Sequence, residues 1–227
     1  MTPETRVAVY YAPAADDPLW QAGAAWLGRD PDADAPCPQP DLPDLPAVTA
    51  DARSYGFHCT LKPPMRLRPG TEWRHLLEAA EAVAAEIPTF ALPPLAVANL
   101  HGFLALQETR PSPELQALSD AFVAGLDAFR APPEPEELAR RRRSQLSAAQ
   151  ERNLVRWGYP LVFDAWFFHM TLTRRLSPDE HARYRPAADA FFAAALARPR
   201  RVEDICLFTQ AGPGAAFKLA LRCPLRG

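Results

Sequence analysis

The sequence predicts an α+β fold: a bilobal duplicated unit in which two antiparallel sheets face each other across a central cleft, with helices outside. Three observations lead there. The chain has 227 residues, 48% of them apolar, enough for one sizeable domain or for two lobes sharing a cleft. Segments of strand and helix character follow one another in the order β-α-β-α-β-β-α-α-β-α-β-β, with no short-period repeat. Two short runs, Phe57-His58-Cys59-Thr60-Leu61 and Phe168-His169-Met170-Thr171-Leu172, state one pattern twice, and a cleft between two related halves brings them together.

The elements follow in order. Arg6–Tyr11 is β-branched and aromatic and ends at Pro13, so it reads as a strand. Pro18–Leu27 carries Leu19, Trp20, Ala24, Trp26 and Leu27 in helical spacing behind a proline at its first turn. Residues 30–54, rich in Pro and Asp, read as a long connection that cannot sustain a helix and that borders a binding site. The first His run follows directly. A helix is predicted over 72–86, with Thr71 as N-cap and Leu76, Leu77, Ala80, Val83 and Ala84 on one face. Strands are predicted over 90–97 and 102–107. A helix then runs from the Ser112-Pro113-Glu114 start to about Phe129. Residues 131–157 are highly charged and read as one helix packed by an edge, with Arg140 to Arg143 spread over more than one turn as a solvated face. Residues 160–172 read as one strand or two, carrying the second run. Pro178–Leu196 reads as a helix, and strands over 202–208 and 216–221 close the chain around a Gly/Pro turn.

In extended chain, alternate side chains point to opposite faces, so each run sets its aromatic, Cys or Met, and Leu on one face and its His and Thr on the other. The apolar face can be buried while the polar face stays free for chemistry. Two imidazoles with unperturbed pKa near 6.5 supply one neutral and one protonated form around neutral pH, a base and an acid for proton transfer on opposite sides of a phosphorus centre. His58 and His169 are therefore the catalytic candidates. Thr60 and Thr171 are the phosphate-binding ones, since their hydroxyls can donate to non-bridging oxygens. Two residues further on the same alternating face come Lys62, a counter-charge for phosphate, and Thr173. Tyr10, Tyr55 and Tyr159 are placed to shape a substrate pocket, and Arg66 and Arg174 to hold a second phosphate. Cys59 belongs to the packing face.

Composition narrows the partners. A net charge of −2 offers no footprint for a duplex nucleic acid, and a small anionic phosphate ester fits better. RNA is not favoured, although a local patch around Arg140 keeps an RNA-end substrate as the alternative. Cys37, Cys59, Cys206 and Cys223 form no metal-like grouping, so no metal and no cofactor are expected. Scattered cysteines and an opening without a signal core suggest a reduced, cytoplasmic setting, and no run is long enough to span a membrane. The oligomeric state is left open.

The paired His58-Cys59-Thr60 and His169-Met170-Thr171, each followed by Leu, resemble the two HxT signatures of the 2H (two-histidine) phosphoesterase superfamily. Tyr10 to Pro13 (YYAP), Trp26 to Gly28 (WLG), Tyr55 to His58 (YGFH) and the WGYP at 157–160 extend the likeness to a branch described as phosphonate-metabolism proteins. The resemblance implies one bilobal domain over 1–227 and metal-independent hydrolysis of a cyclic phosphodiester. It assigns acid and base to His58 and His169 and phosphate contacts to Thr60 and Thr171. It further implies a small sugar or nucleotide cyclic phosphate as substrate, with a ribose cyclic phosphate suggested by phosphonate breakdown. The spacing between the two runs looks longer than in compact relatives, and the excess is assigned to a charged helical insertion at 131–157. The alternatives are an RNA-end 2′,3′-cyclic phosphodiesterase or 2′-5′ ligase-like protein, and a non-catalytic module that binds a phosphorylated metabolite.

Overall fold

The computed structural model describes residues 5–227, so the reading of the chain's opening falls partly outside the described residues. The strands are β1 (Arg6–Tyr11), β2 (Arg29–Asp30), β3 (Ala35–Pro36), β4 (Cys59–Arg66), β5 (Phe90–Leu92), β6 (Leu95–Leu100), β7 (Phe103–Glu108), β8 (Met170–Arg175), β9 (Arg200–Val202), β10 (Asp204–Gln210) and β11 (Lys218–Pro224). The helices are α1 (Pro18–Leu27), α2 (Leu45–Val48), α3 (Ala50–Tyr55), α4 (Trp73–Ala85), α5 (Pro113–Gly125), α6 (Pro135–Arg142), α7 (Ala148–Trp157) and α8 (Pro178–Leu196).

Among the described residues, seven strands form one antiparallel sheet in the order β11-β10-β1-β4-β8-β7-β6, and β2-β3 and β5-β9 form small pairs. The fold is α+β and antiparallel, as the sequence predicts. The sheet consists of two halves, β11-β10-β1-β4 and β8-β7-β6, joined through the single residue pair Cys59–Met170. Each His run thus lies where one half meets the other. The runs are centred on the seam: β4 begins at Cys59 and β8 at Met170, so each histidine is the last residue before its strand.

Both faces of the sheet's centre are buried. Along β1, Val7, Val9 and Tyr11 enter the main core, while Ala8, Tyr10 and Ala12 enter a smaller cluster with Trp20, Cys206, Phe208 and Phe217. This two-sided burial explains an almost continuous apolar strand. Phe57, Cys59 and Leu61, and likewise Phe168, Met170 and Leu172, all enter the main core at 0% exposure. Burying one such side chain is worth about 1.5–3 kcal/mol, so the apolar halves of both runs anchor the seam.

Several predicted elements differ. Residues 30–54 do support helix: Leu45 and Val48 of α2 are buried, and Arg53 of α3 donates to the carbonyls of Leu27 (2.6 Å) and Pro46 (2.9 Å). A tertiary anchor here overrides weak propensity. The 72–86 helix starts at Trp73 with Glu72 at its N-cap and no side-chain cap, while Thr71 sits in a turn closed on the Arg68 carbonyl (3.0 Å). Pro93 and Pro94, lacking N–H groups, split the predicted 90–97 strand into β5 and β6. The 112–129 helix ends at Gly125 and passes into a short 3-10 turn at 127–129. Residues 131–157 form two helices, because Ser147 starts α7 afresh with a reciprocal capping box to Gln150. Residues 160–162 bend, Phe163–Ala165 form a 3-10 turn and 166–169 are irregular, the segment being tied by Asn153 to the Val162 carbonyl (3.0 Å) and by Gln116 to the Phe163 carbonyl (3.1 Å). The strand begins only at Met170. The last strands are displaced by a few residues from 202–208 and 216–221. Among the described residues no helix is long and apolar enough to cross a membrane.

Candidate active site

The seam dictates the site. Cys59 and Met170 pair antiparallel at the middle of the two runs. Continued one residue either way, that register sets His58 across from Thr171 and Thr60 across from His169. Each histidine thus takes the register position across from the other run's threonine. His58, Thr60 and Thr171 line one cavity of about 410 Å³, with Tyr10, Tyr55 and Tyr159 also on its walls. The size suits a small ligand.

One local device orients both histidines. His58 Nδ1 lies 2.9 Å from the Gly56 carbonyl, and His169 Nδ1 lies 3.1 Å from the Phe167 carbonyl, in each case two residues upstream. A carbonyl only accepts, so a neutral ring carries its proton on Nδ1 and leaves Nε2 as the basic nitrogen. Gly56 takes the turn before His58 with φ of +83° and lies against Pro31, a conformation and a closeness that suit glycine. The Thr60 hydroxyl stands 3.2 Å from His58 Nε2 and donates to it in the neutral ring. Aromatic planes back both rings: Tyr10 stacks on His58 at 3.6 Å between centroids, and Phe167 on His169 at 4.6 Å. Trp166 Nε1 donates to the Thr60 carbonyl (2.8 Å) and ties the second run's approach to the first strand.

Burial shapes the charge states. Desolvation lowers the His58 pKa to about 4, opposed by the Gly56 carbonyl and helped by the nearby His169. Desolvation also lowers that of His169, against the Phe167 carbonyl. Both rings are held toward the neutral form. Burial raises Tyr10 and Tyr159 as well, so both phenols stay protonated as donors.

Four predicted residues are drawn elsewhere. Lys62 does not share the face of Thr60, because a register shift pairs Tyr10 with Thr60 but Val9 with Lys62. The extra residue turns Lys62 to the core side, where it is 2% exposed, donates to the Val123 carbonyl (2.9 Å) and approaches Asp127 (3.9 Å). Thr173 accepts from the Leu104 backbone N–H (3.0 Å), inside the irregular β7–β8 register, and is 1% exposed. Arg66 pairs with Glu134 (2.7 Å), and Arg174 with Glu180 (2.8 Å), both off the cavity. In each case a strand irregularity or a carboxylate partner outweighs the alternation or the free charge that the sequence predicts.

Other residues join the site. Arg6 and Asp51 line the cavity, and so do Arg140 and Arg141 of α6. Arg6 has the parity of Tyr10 on β1, a signal already present in the strand's alternation. The placement of α6 has no such signal, since it depends on where the helix docks.

The position of Lys62 has a measurable consequence. Desolvation holds its pKa down to about 8, with Asp127 opposing. The unfolded chain keeps that proton to about pH 10.4 while the native state loses it above about 8, so in this window Lys62 makes stability rise with pH. Lys62→Met removes that contribution. Its stability relative to wild type is expected to fall by about 2 kcal/mol between pH 7.5 and 9.5 in urea unfolding. Lys62 is not among the residues lining the cavity.

The chain is 41% identical over 232 residues to a protein of Janthinobacterium sp. (strain Marseille) named ribose 1,5-bisphosphate phosphokinase PhnN, covering 98% of this chain and 51% of that protein. It is 37% identical over 217 residues to the protein of the same name from Laribacter hongkongensis (strain HLHK9), covering 94% and 50%. The chain thus spans about half the length of the curated relatives it matches. Among solved structures, E. coli LigT complexed with NADP+ is similar with a TM-score of 0.48 and 14% identity, covering 100% of each chain. A family model described as "Protein of unknown function (DUF1045)" matches residues 60–218, and the chain belongs to that family.

Proposed function

We propose that the protein is a cyclic phosphodiesterase that opens a small sugar or nucleotide cyclic phosphate by acid–base catalysis between His58 and His169, without need of a metal. The observation that carries this reading is the doubled device at the seam: two histidines, each fixed by a carbonyl two residues upstream, each across from the other run's threonine.

His58, whose pKa burial lowers to about 4, is assigned as the base. Its Nε2 takes a proton from water as the water oxygen bonds to phosphorus, and the bond from phosphorus to one sugar oxygen breaks. His169 gives its proton to that oxygen. The product is a phosphate monoester, and the two rings have exchanged protonation states, which solvent restores. The Thr60 hydroxyl leaves His58 Nε2 to donate, with Thr171, to the non-bridging oxygens as charge grows on them. The cavity volume of about 410 Å³ agrees with a sugar or mononucleotide. The relatives' name favours ribose: opening a ribose cyclic phosphate yields a ribose phosphate monoester, the class of compound that name contains. A place in phosphonate breakdown rests on the sequence resemblance and on this chemistry.

The mechanism sets the pH dependence. The base must be neutral and the acid protonated, and both pKa values lie below 6.5, so kcat/KM is greatest on the acid side of neutrality. Above the higher value it falls about tenfold per pH unit, and below about pH 4 the base is lost. Steady-state rates from pH 4 to 9 on a ribose cyclic phosphate and on nucleoside 2′,3′-cyclic phosphates, with chelator present, test this. An optimum above pH 8, or loss in chelator restored by metal, contradicts it. Ligand binding without turnover, insensitive to either histidine, would instead mark a binding module.

A further inference from the structure

The cavity is more cationic than one cyclic diester requires. Arg6, Arg140 and Arg141 all line it, against Asp51 as the one carboxylate among its lining residues. A cyclic phosphodiester carries a single negative charge, already faced by Thr60, Thr171 and the His58 imidazole among the lining residues.

The arginines arrive by different routes. Arg6 comes from β1, and its Nε donates to a neutral partner, Gln210 (2.7 Å). Arg140 and Arg141 come from α6, which buries none of its residues and is strapped down by polar contacts at its two ends: Arg66 to Glu134 (2.7 Å) and Arg142 to Glu151 (2.7 Å). A helix without a fully buried side chain has little packing reason to lie over a cavity. Yet the Arg141 side chain is only 17% exposed; its guanidinium stands 4.5 Å from the Tyr159 ring centroid and bonds Glu137 (2.6 Å). Its Nε–H is buried without a partner, and so is the Tyr10 hydroxyl, on a fully buried side chain lining the same cavity. Buried donors are normally satisfied, and two unsatisfied ones on one cavity call for an acceptor inside it.

We propose that α6 completes a second anion subsite, in which Arg141 and Arg6, with the Tyr10 hydroxyl, hold a phosphate monoester carried by the same molecule whose cyclic ester lies against the histidines. This deepens the reading above and rests on it. A guanidinium matches a phosphate's oxygens two at a time, a monoester is close to a dianion at neutral pH, and the phenol adds one neutral donor. The substrate class is therefore a sugar phosphate that bears a cyclic phosphate at one end and a monoester at the other. Arg66 and Arg174, the sequence's candidates for this role, lie outside the cavity lining.

The test compares ribose 1,2-cyclic phosphate with and without a 5-phosphate. Wild type is expected to favour the phosphorylated form in kcat/KM by on the order of a hundredfold, from two charge-assisted hydrogen bonds. That ratio should shrink to about tenfold or less in Arg141→Gln and recover only in part in Arg141→Lys, which keeps charge but loses the fork. Turnover of both compounds at equal efficiency overturns the subsite and leaves the phosphodiesterase standing. If neither is turned over, the phosphodiesterase reading fails, and titration calorimetry with ribose 5-phosphate decides the subsite. Binding at least tenfold weaker in Arg141→Gln, with ribose itself not bound, supports it; no binding by wild type overturns it too.

Discussion

Replacing either histidine, as His58→Ala or His169→Ala, is expected to lower kcat/KM for a cyclic phosphate by about a thousandfold or more, while the melting temperature moves by only a few degrees. General acid or base catalysis is worth typically 10²- to 10⁴-fold, and opening the ring needs both partners. The fold should survive because neither imidazole is part of the main core: Phe57, Cys59 and Leu61 around His58, and Phe168, Met170 and Leu172 around His169, hold the seam. In the proposed mechanism the two rings act in one proton circuit, so the double variant should be scarcely slower than either single one. Truncating His58 also leaves Tyr10 without its stacking partner and removes a penalty for burying a titratable ring, so small stability changes of either sign are compatible. Steady-state rates beside thermal melts check this, and either variant retaining a tenth of wild-type activity refutes the two-histidine mechanism.

Gly23→Val is expected to destabilise the protein by about 3 kcal/mol and to impair the site from a distance. A Cβ built on Gly23 would lie 2.1 Å from two ring carbons of Phe57, whose side chain is wholly buried. Neither α1 nor that ring can give way by more than an ångström in a packed core, and overpacking of this kind costs about 1–3 kcal/mol and occasionally more. For a chain of this size the melting temperature should fall by about 6–12 °C. Phe57 directly precedes His58, so its displacement shifts the imidazole relative to Thr171, and kcat/KM should fall at least about tenfold. Adding Phe57→Ala should cost less in the Gly23→Val background than in wild type, since the first substitution has already forfeited that ring's packing. A melting temperature equal to wild type would show that the close approach does not constrain the seam.

Much of this architecture was legible because burial and alternation coincide at the repeated runs. Phe57-His58-Cys59-Thr60-Leu61 announces its two faces in the sequence, and the structure buries its apolar members together with those of the second run. β1, α1 and α8 have the predicted limits, each framed by a clear stop or cap, such as Asp17 accepting from the Leu19 N–H (2.8 Å) ahead of α1. What was not legible was decided by non-local geometry. A bulge opposite Val9 and Tyr10 reverses the side of Lys62, and nothing in Thr60-Leu61-Lys62 signals it. Arg66 and Arg174 look free until folding brings Glu134 and Glu180 to them. Residues 45–55 hold helix because Arg53 finds the Leu27 carbonyl, a partner 26 residues away. The arginines of α6 read as a solvated face because no periodicity tells a helix without buried residues where to dock.

The most direct test of the central claim is phosphorus NMR of ribose 1,2-cyclic phosphate 5-phosphate incubated with wild type and with His58→Ala, in ¹⁸O-enriched water with chelator present. The account predicts that wild type converts the cyclic-phosphate resonance into that of a monoester carrying one ¹⁸O, while the variant leaves it unchanged over the same time. A cyclic resonance that persists with wild type, or that disappears equally fast with His58→Ala, would contradict it.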